Sequence, residues 1–143
     1  MQAQMLAPAA VLVAWTLIVM FWMMATRLPA LAKSGIDLKQ AKPGGRGQDL
    51  EGVLPDAINW KAHNYMHLLE QPTLFYALSA IIALLGAGGT DVLIAWIYVA
   101  LRIVHSIWQA TVNRIPVRLL LFGLSTLCLI ALAVRAIELT VFA

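Results

Sequence analysis

A chain of 143 residues is one domain's worth of polypeptide, and with 62% of its residues hydrophobic it carries more apolar surface than a soluble core of that size can bury. The net charge of +3 is modest, and the Lys and Arg residues sit mainly in loops with no stripe of interleaved aromatics, which excludes a nucleic-acid surface. A single cysteine, Cys128, excludes an intrachain disulfide and a cysteine-built zinc site, and in its apolar setting it reads as a small packing residue.

In chain order, residues from about 6 to 28 carry no charge before Arg27. At a rise of about 1.5 Å per residue such a run crosses a hydrocarbon core of about 30 Å. No Lys or Arg precedes it and no convincing small-residue cleavage site follows, so the reading is a retained helix closed by Pro29, not a signal peptide. Lys33 to Pro55 holds Gly35, Pro43, Gly44, Gly45, Gly47 and Gly52 among charges of both signs and reads as a loop. Asp56 is the expected N-cap of a second helix over about 57–85. Gly86, Gly88 and Gly89 then form a tight turn, with Thr90 or Asp91 capping a third helix over about 91–113. Arg114-Ile115-Pro116 breaks the chain before a fourth helix over about 117–141. The apolar runs are too long and too continuous for β-structure, and no internal repeat is present. The expectation is an all-α fold: a single transmembrane domain, residues 1–143, forming an integral membrane four-helix bundle with a long loop over about 30–56.

Basic residues orient it. Lys33, Lys39, Lys42 and Arg46 lie in the first loop, flanked by Arg27 and Lys61, and Arg114 and Arg118 lie in the third. Both loops fall at one end of a bundle, which the positive-inside rule makes cytoplasmic, with both termini outside, as in a bacterial inner membrane. Trp60 and Trp96 sit near helix ends as interfacial anchors, and Arg135 with Glu138 reads as a snorkelling i,i+3 pair.

Polar residues stand where lipid should be. The second helix carries Asn59, His63, His67 and Glu70 at steps of four, four and three, with Asn64 and Thr73 nearby; the third carries Tyr98, Arg102, His105, Gln109 and Asn113 at steps of four, three, four and four. Folded as a straight antiparallel hairpin, the two stripes are in register: His63 opposite Asn113, His67 opposite Gln109, Glu70 between His105 and Gln109. A charge at mid-membrane costs on the order of 2.5–3.5 kcal/mol, so Glu70 and Arg102 are expected to face each other inside the bundle in a charge-assisted hydrogen bond. Pro72 frees the carbonyl of Leu68 close by. Two readings stand: a buried polar clamp that fixes helix register, or a partly wet cavity lined by these groups. A single carboxylate in the order His-x-x-Glu is not a di-iron or zinc signature, so no metal is expected.

The run His63-Asn64-Tyr65-Met66-His67-Leu68-Leu69-Glu70-Gln71-Pro72-Thr73-Leu74-Phe75-Tyr76 resembles the second-helix signature of the MAPEG family, the membrane-associated proteins of eicosanoid and glutathione metabolism, in which an Asn and a Glu precede a Pro and an aromatic. Arg102, His105, Asn113, Arg114 and Arg118 fit the family's polar third helix and following turn. His67 stands where the family's usual Asn would be, with Asn64 a turn earlier, and Ile107, Trp108 and Thr111 replace the Tyr-rich end of helix three seen in leukotriene-forming members.

The resemblance implies a homotrimer that binds glutathione as co-substrate between protomers. By it, His63, Asn64, His67, Glu70, Tyr98, His105, Gln109 and Asn113 would bind glutathione, while Arg102, Arg114 and Arg118 would hold its carboxylates or stabilise its thiolate. The implied activity is a glutathione-dependent transferase or peroxidase acting on lipophilic electrophiles or hydroperoxides delivered by the lipid bilayer. The alternative is a non-enzymatic member whose polar cluster serves assembly or the binding of a lipid or partner.

Overall fold

A computed structural model describes all residues, Met1–Ala143. It contains five helical segments and no strand: α1 (Gln2–Lys33), α2 (Asp56–Glu70), α3 (Pro72–Leu85), α4 (Gly89–Thr111) and α5 (Ile115–Thr140). Segments α2 and α3 are two parts of one span, Asp56–Leu85, so four helices are long and apolar enough to cross a membrane. Their outer faces present large apolar side chains along their length, Leu17, Phe21, Leu74, Leu119 and Leu127 among them. The chain is an integral membrane protein.

Local chemistry sets the helix ends, and three differ from expectation. Helix α1 continues through Pro29 to Lys33. A proline removes one hydrogen bond, and the following Ala30, Leu31, Ala32 and Lys33 are good helix formers. Pro55 rather than Asp56 occupies the N-cap of α2. At α4 the cap is Gly88, whose N–H donates to the Asp91 carboxylate at 2.8 Å. The preceding Gly86 has φ +133°, a conformation that L side chains rarely adopt, so the α3–α4 turn needs glycine there.

Helix α4 is central. It packs on α1, α2 and α5, while α1 also covers α2 and α3, and α5 lies on α3 and α4. Met5, Leu12 and Val19, seven apart, give α1 a narrow inner seam against Phe75 and Ile82 of α3 and Ala95, Tyr98 and Val99 of α4. Lipid is as apolar as leucine, so close packing and interhelical hydrogen bonds hold such a bundle together. Trp15 Nε1 donates to Ser106 Oγ at 2.9 Å, joining α1 to α4. Lys61 Nζ lies 5.2 Å from the Trp22 ring centroid and donates to the carbonyls of Ala57 and Ala110, tying α1, α2 and α4. At the opposite end Arg135 bridges Asp91 at 3.4 Å and Glu138 at 3.3 Å, so the expected surface pair also clamps α4 to α5.

The loop from Ser34 to Pro55 carries two 3-10 turns, Leu38–Gln40 and Gly47–Leu50. Arg27 Nη2 donates to the Gly47 carbonyl at 3.1 Å. A Cβ at Gly47 would lie 2.7 Å from Arg27 Nη1, so a side chain there would push the guanidinium aside. Asn59 Nδ2 reaches the carbonyls of Leu50 and Leu54, and His63 Nε2 contacts Glu51 Oε1 at 2.7 Å.

Candidate functional site

Helix α4 turns its whole polar stripe inward. Tyr98, Arg102, His105 and Gln109 are all buried, Arg102 completely so, and Asn113 at the helix end is partly buried. Their steps of four, three and four residues keep one azimuth, and the central position of α4 converts that azimuth into burial.

The second span behaves differently. Its inner face is Asn59, Asn64 and Leu68, continuing through Gln71 and Pro72 to Phe75, Ser79 and Ile82. His67 lies at the edge of that face, and the Glu70 side chain is 69% exposed, with its carboxylate 3.9 Å from His67 Nδ1. The expected Glu70–Arg102 bond is therefore not made within the chain. Glu70 stands two residues, about 200° of helical rotation, from the inward Leu68. The inward positions Asn64, Leu68, Pro72, Phe75, Ser79 and Ile82 follow one another at steps of three or four, so the inner face passes Glu70 by. The helix pairing is also offset from the straight hairpin by about one turn: His67 meets His105 and Arg102 rather than Gln109.

Arg102 is the centre of the arrangement. Its Nη2 is 3.5 Å from His67 Nδ1, beyond a good hydrogen bond, and its guanidinium carbon is 6.0 Å from the Phe122 ring centroid. Its Nε and Nη1 have no partner. The His67 and His105 rings meet edge-on at 4.9 Å. Both amide atoms of Asn64, His105 Nε2 and Gln109 Oε1 are also buried without partners. Lys61 meets Ala110 and His67 meets His105, so Asn64 lies at the level of His105 to Gln109. Buried polar atoms are nearly always hydrogen-bonded, so this set marks a place built for a polar guest or for water.

In front of Arg102 a cavity of about 210 Å³ opens between α2, α4 and the start of α5, lined by His67, His105, Ile115, Arg118, Leu119 and Phe122. Arg118 Nη1 donates to Asn113 Oδ1 at 2.6 Å. Arg114 is exposed at the N-cap of α5, beside Ile115 of the cavity wall. His63 is not part of this group; it lines a separate cavity of about 200 Å³ between α1, the loop and α2. No three His, Cys, Asp or Glu side chains converge as a metal site would require.

Two residues not among the expected site residues, Gln71 and Thr126, join the site. Tyr98 donates to Gln71 Oε1 at 3.1 Å, Gln71 Nε2 donates to Thr126 Oγ1 at 3.0 Å, and Thr126 donates to the Phe122 carbonyl at 2.8 Å. The signal for Gln71 was an amide side chain directly before an intramembrane proline. Thr126 carried none, because a threonine in a span ordinarily bonds its own preceding turn.

A MAPEG family model matches residues 5–137 of the chain. No curated protein and no solved structure matches it.

Proposed function

The chain belongs to the MAPEG family, and from that premise we propose that it is a membrane-bound glutathione-dependent transferase or peroxidase acting on lipophilic electrophiles or hydroperoxides. One observation carries the reading: the fully buried Arg102 has two unpartnered guanidinium nitrogens, Nε and Nη1, and no carboxylate of its own chain is paired with it. A bare cation in a low-dielectric interior is unfavourable, and an anionic guest in the adjoining cavity offsets that cost. A clamp that only fixed helix register would have paired Arg102 with Glu70.

Arg118 lines the cavity and is the group placed to touch a carboxylate or thiolate; Arg102 stands behind the two histidines and supplies positive potential. A free thiol with pKa about 8.5 ionises more readily beside guanidinium groups, which raises its nucleophilic fraction at neutral pH. The thiolate sulfur then attacks the electrophilic atom of the second substrate, forming the new bond to sulfur as the leaving group departs with its electron pair. Asn64, His105, Gln109, Tyr98 and Asn113 would orient the peptide, with Arg114 at the cavity mouth. Glu70 would take the ammonium group. Its outward carboxylate at mid-span cannot face acyl chains, which supports a homotrimer in which a neighbouring protomer covers it. The same exposed carboxylate favours a second reading, a non-enzymatic trimer in which it serves assembly alone. We place both termini outside and the Ser34–Pro55 loop in the cytoplasm, following its Lys and Arg residues.

Glutathione titration of the purified protein separates these readings. At about 100 times its dissociation constant the ligand stabilises by about 2.7 kcal/mol, read as a rise in melting temperature together with thiolate absorbance. Arg102→Met should abolish both signals with the trimer intact. Absence of any shift with wild-type protein at saturating glutathione, or collapse of the trimer in Arg102→Met, refutes the enzymatic role given to this residue.

A further inference from the structure

We propose that the hollow between the end of α1 and the start of α2 binds an anionic phospholipid of the adjacent leaflet, with its phosphate on Lys33. The site is separate from the cavity at Arg118 and stands whether or not glutathione is a substrate.

Three cavities at the loop end of the bundle each have one Lys or Arg in the wall: Arg27, Arg118 and Lys33. The first two are engaged, Arg27 with the Gly47 carbonyl and Arg118 with Asn113. Lys33 belongs to none of the ion pairs of the chain, which leaves its ammonium free for a guest. Its neighbour Ser34 has its hydroxyl committed to the Leu31 carbonyl at 2.7 Å. No Asp or Glu lines the hollow, and Asp56, exposed beside Pro55, stays outside its wall. Pro55 is the N-cap of α2, so the unsatisfied N–H groups at that helix start add positive potential. Eight of the chain's ten Lys and Arg residues lie at this end, against four of its seven Asp and Glu residues. The balance favours an anion.

The rest of the wall selects which anion. The hollow measures about 420 Å³, within the roughly 300–1,000 Å³ of pockets that take a ligand-sized group. Its deepest residues are Thr26 on α1 and Ile58 on α2. Thr26 spends its hydroxyl on the Trp22 and Met23 carbonyls of its own helix. The uncharged run of α1 ends at Thr26, just before Arg27, so this floor lies at the edge of the hydrocarbon. Going outward the wall passes Pro29 and Val53 before it reaches Lys33, which lies about 10 Å along the helix beyond Thr26. A phospholipid presents its groups in the same order, methylenes at the hydrocarbon edge and phosphate outside them. A long lysine stem can lean back over the apolar wall to meet that phosphate. Free inorganic phosphate matches only the outer end, and would gain nothing from Val53, whose apolar side chain is 54% exposed.

The test uses the full chain in nanodiscs of phosphatidylcholine with a rising fraction of phosphatidylglycerol, and native mass spectrometry to count the lipid that stays bound on release. Phosphatidylglycerol should be retained about fivefold over phosphatidylcholine. Lys33→Gln should remove that preference. Lys39→Gln, the same change of charge at a residue outside the hollow, should keep it. Val53→Asp puts a carboxylate into the hollow at an exposed position that spares the fold, and should also remove the preference; it carries the test if Lys33→Gln does not fold. Equal losses in Lys33→Gln and Lys39→Gln would reduce the effect to diffuse attraction by the loop and overturn the site. The proposal also fails if the wild type retains phosphatidylglycerol no better than phosphatidylcholine, or if millimolar inorganic phosphate displaces the lipid, which would make the site one for free phosphate.

Discussion

Asn113 has φ +54°, in the left-handed region, and its N–H reaches back to the Trp108 carbonyl at 2.8 Å to close the end of α4. That conformation costs most L residues roughly 1–2 kcal/mol, while asparagine and glycine adopt it readily. Here the side chain also holds Arg118 at the cavity wall. Asn113→Ala should therefore lower the unfolding free energy by about 1–2 kcal/mol, whereas Asn113→Gly should keep near-wild-type stability and weaken glutathione binding by releasing Arg118. Equal losses of melting temperature in both variants would show that the hydrogen bond, not the backbone, matters. At this scale the sequence was informative about residue type and silent about direction. An Arg inside a span announces itself by its cost, and Arg102 is indeed interior. Whether Glu70 or His67 is its neighbour depends on azimuth to within one residue, and α2 carries polar residues on more than one side, His63, Asn64, His67 and Glu70, so no single polar face fixes that angle.

The decisive element is the interrupted second span. Pro72 cannot donate to the Leu68 carbonyl, and Leu74 N–H instead reaches Gln71 at 3.0 Å, an i to i−3 bond that marks a local tightening. Thr73 Oγ1 also bonds the Glu70 carbonyl at 2.7 Å, a local alternative to the regular ladder. Gln71 faces α4 and α5 while Glu70 lies outside, and Gln71 keeps helical φ and ψ of −57° and −40°, so the interruption is one of hydrogen bonding and not of azimuth. Pro72→Ala should restore a continuous helix, slow hydrogen exchange of the Thr73 and Leu74 amides, and weaken any ligand held in the cavity. Unchanged exchange in that stretch would mean that the proline does not cause the break. Pro72 was visible as a breaker in the sequence. What was not visible was the azimuth: the inner face runs through Asn64, Leu68 and Pro72, about one residue round from the expected His63, His67 and Glu70. In the third span the stripe from Tyr98 to Gln109 lies on the buried side throughout.

For the whole molecule, the four apolar helices were legible because length and hydropathy depend on the bilayer and not on tertiary detail. Assembly was not, since a contact between protomers looks like a lipid contact when both are apolar. The proposed orientation predicts that alkaline phosphatase fused after Ala143 is active in a bacterial host and that the same enzyme inserted between Lys39 and Lys42 is inactive. The reverse pattern would invert the topology. The loop that carries this charge signal is divided in its attachments. Its tethers to the helices, from Arg27, Asn59 and His63, all fall between Gly47 and Leu54. From Gly35 to Gly45 every hydrogen bond is local. The second half of the loop therefore moves as part of the α2 body, and the first half is slack leash, the stretch where a protease nick, an inserted tag or extra residues would leave the rest of the scaffold standing.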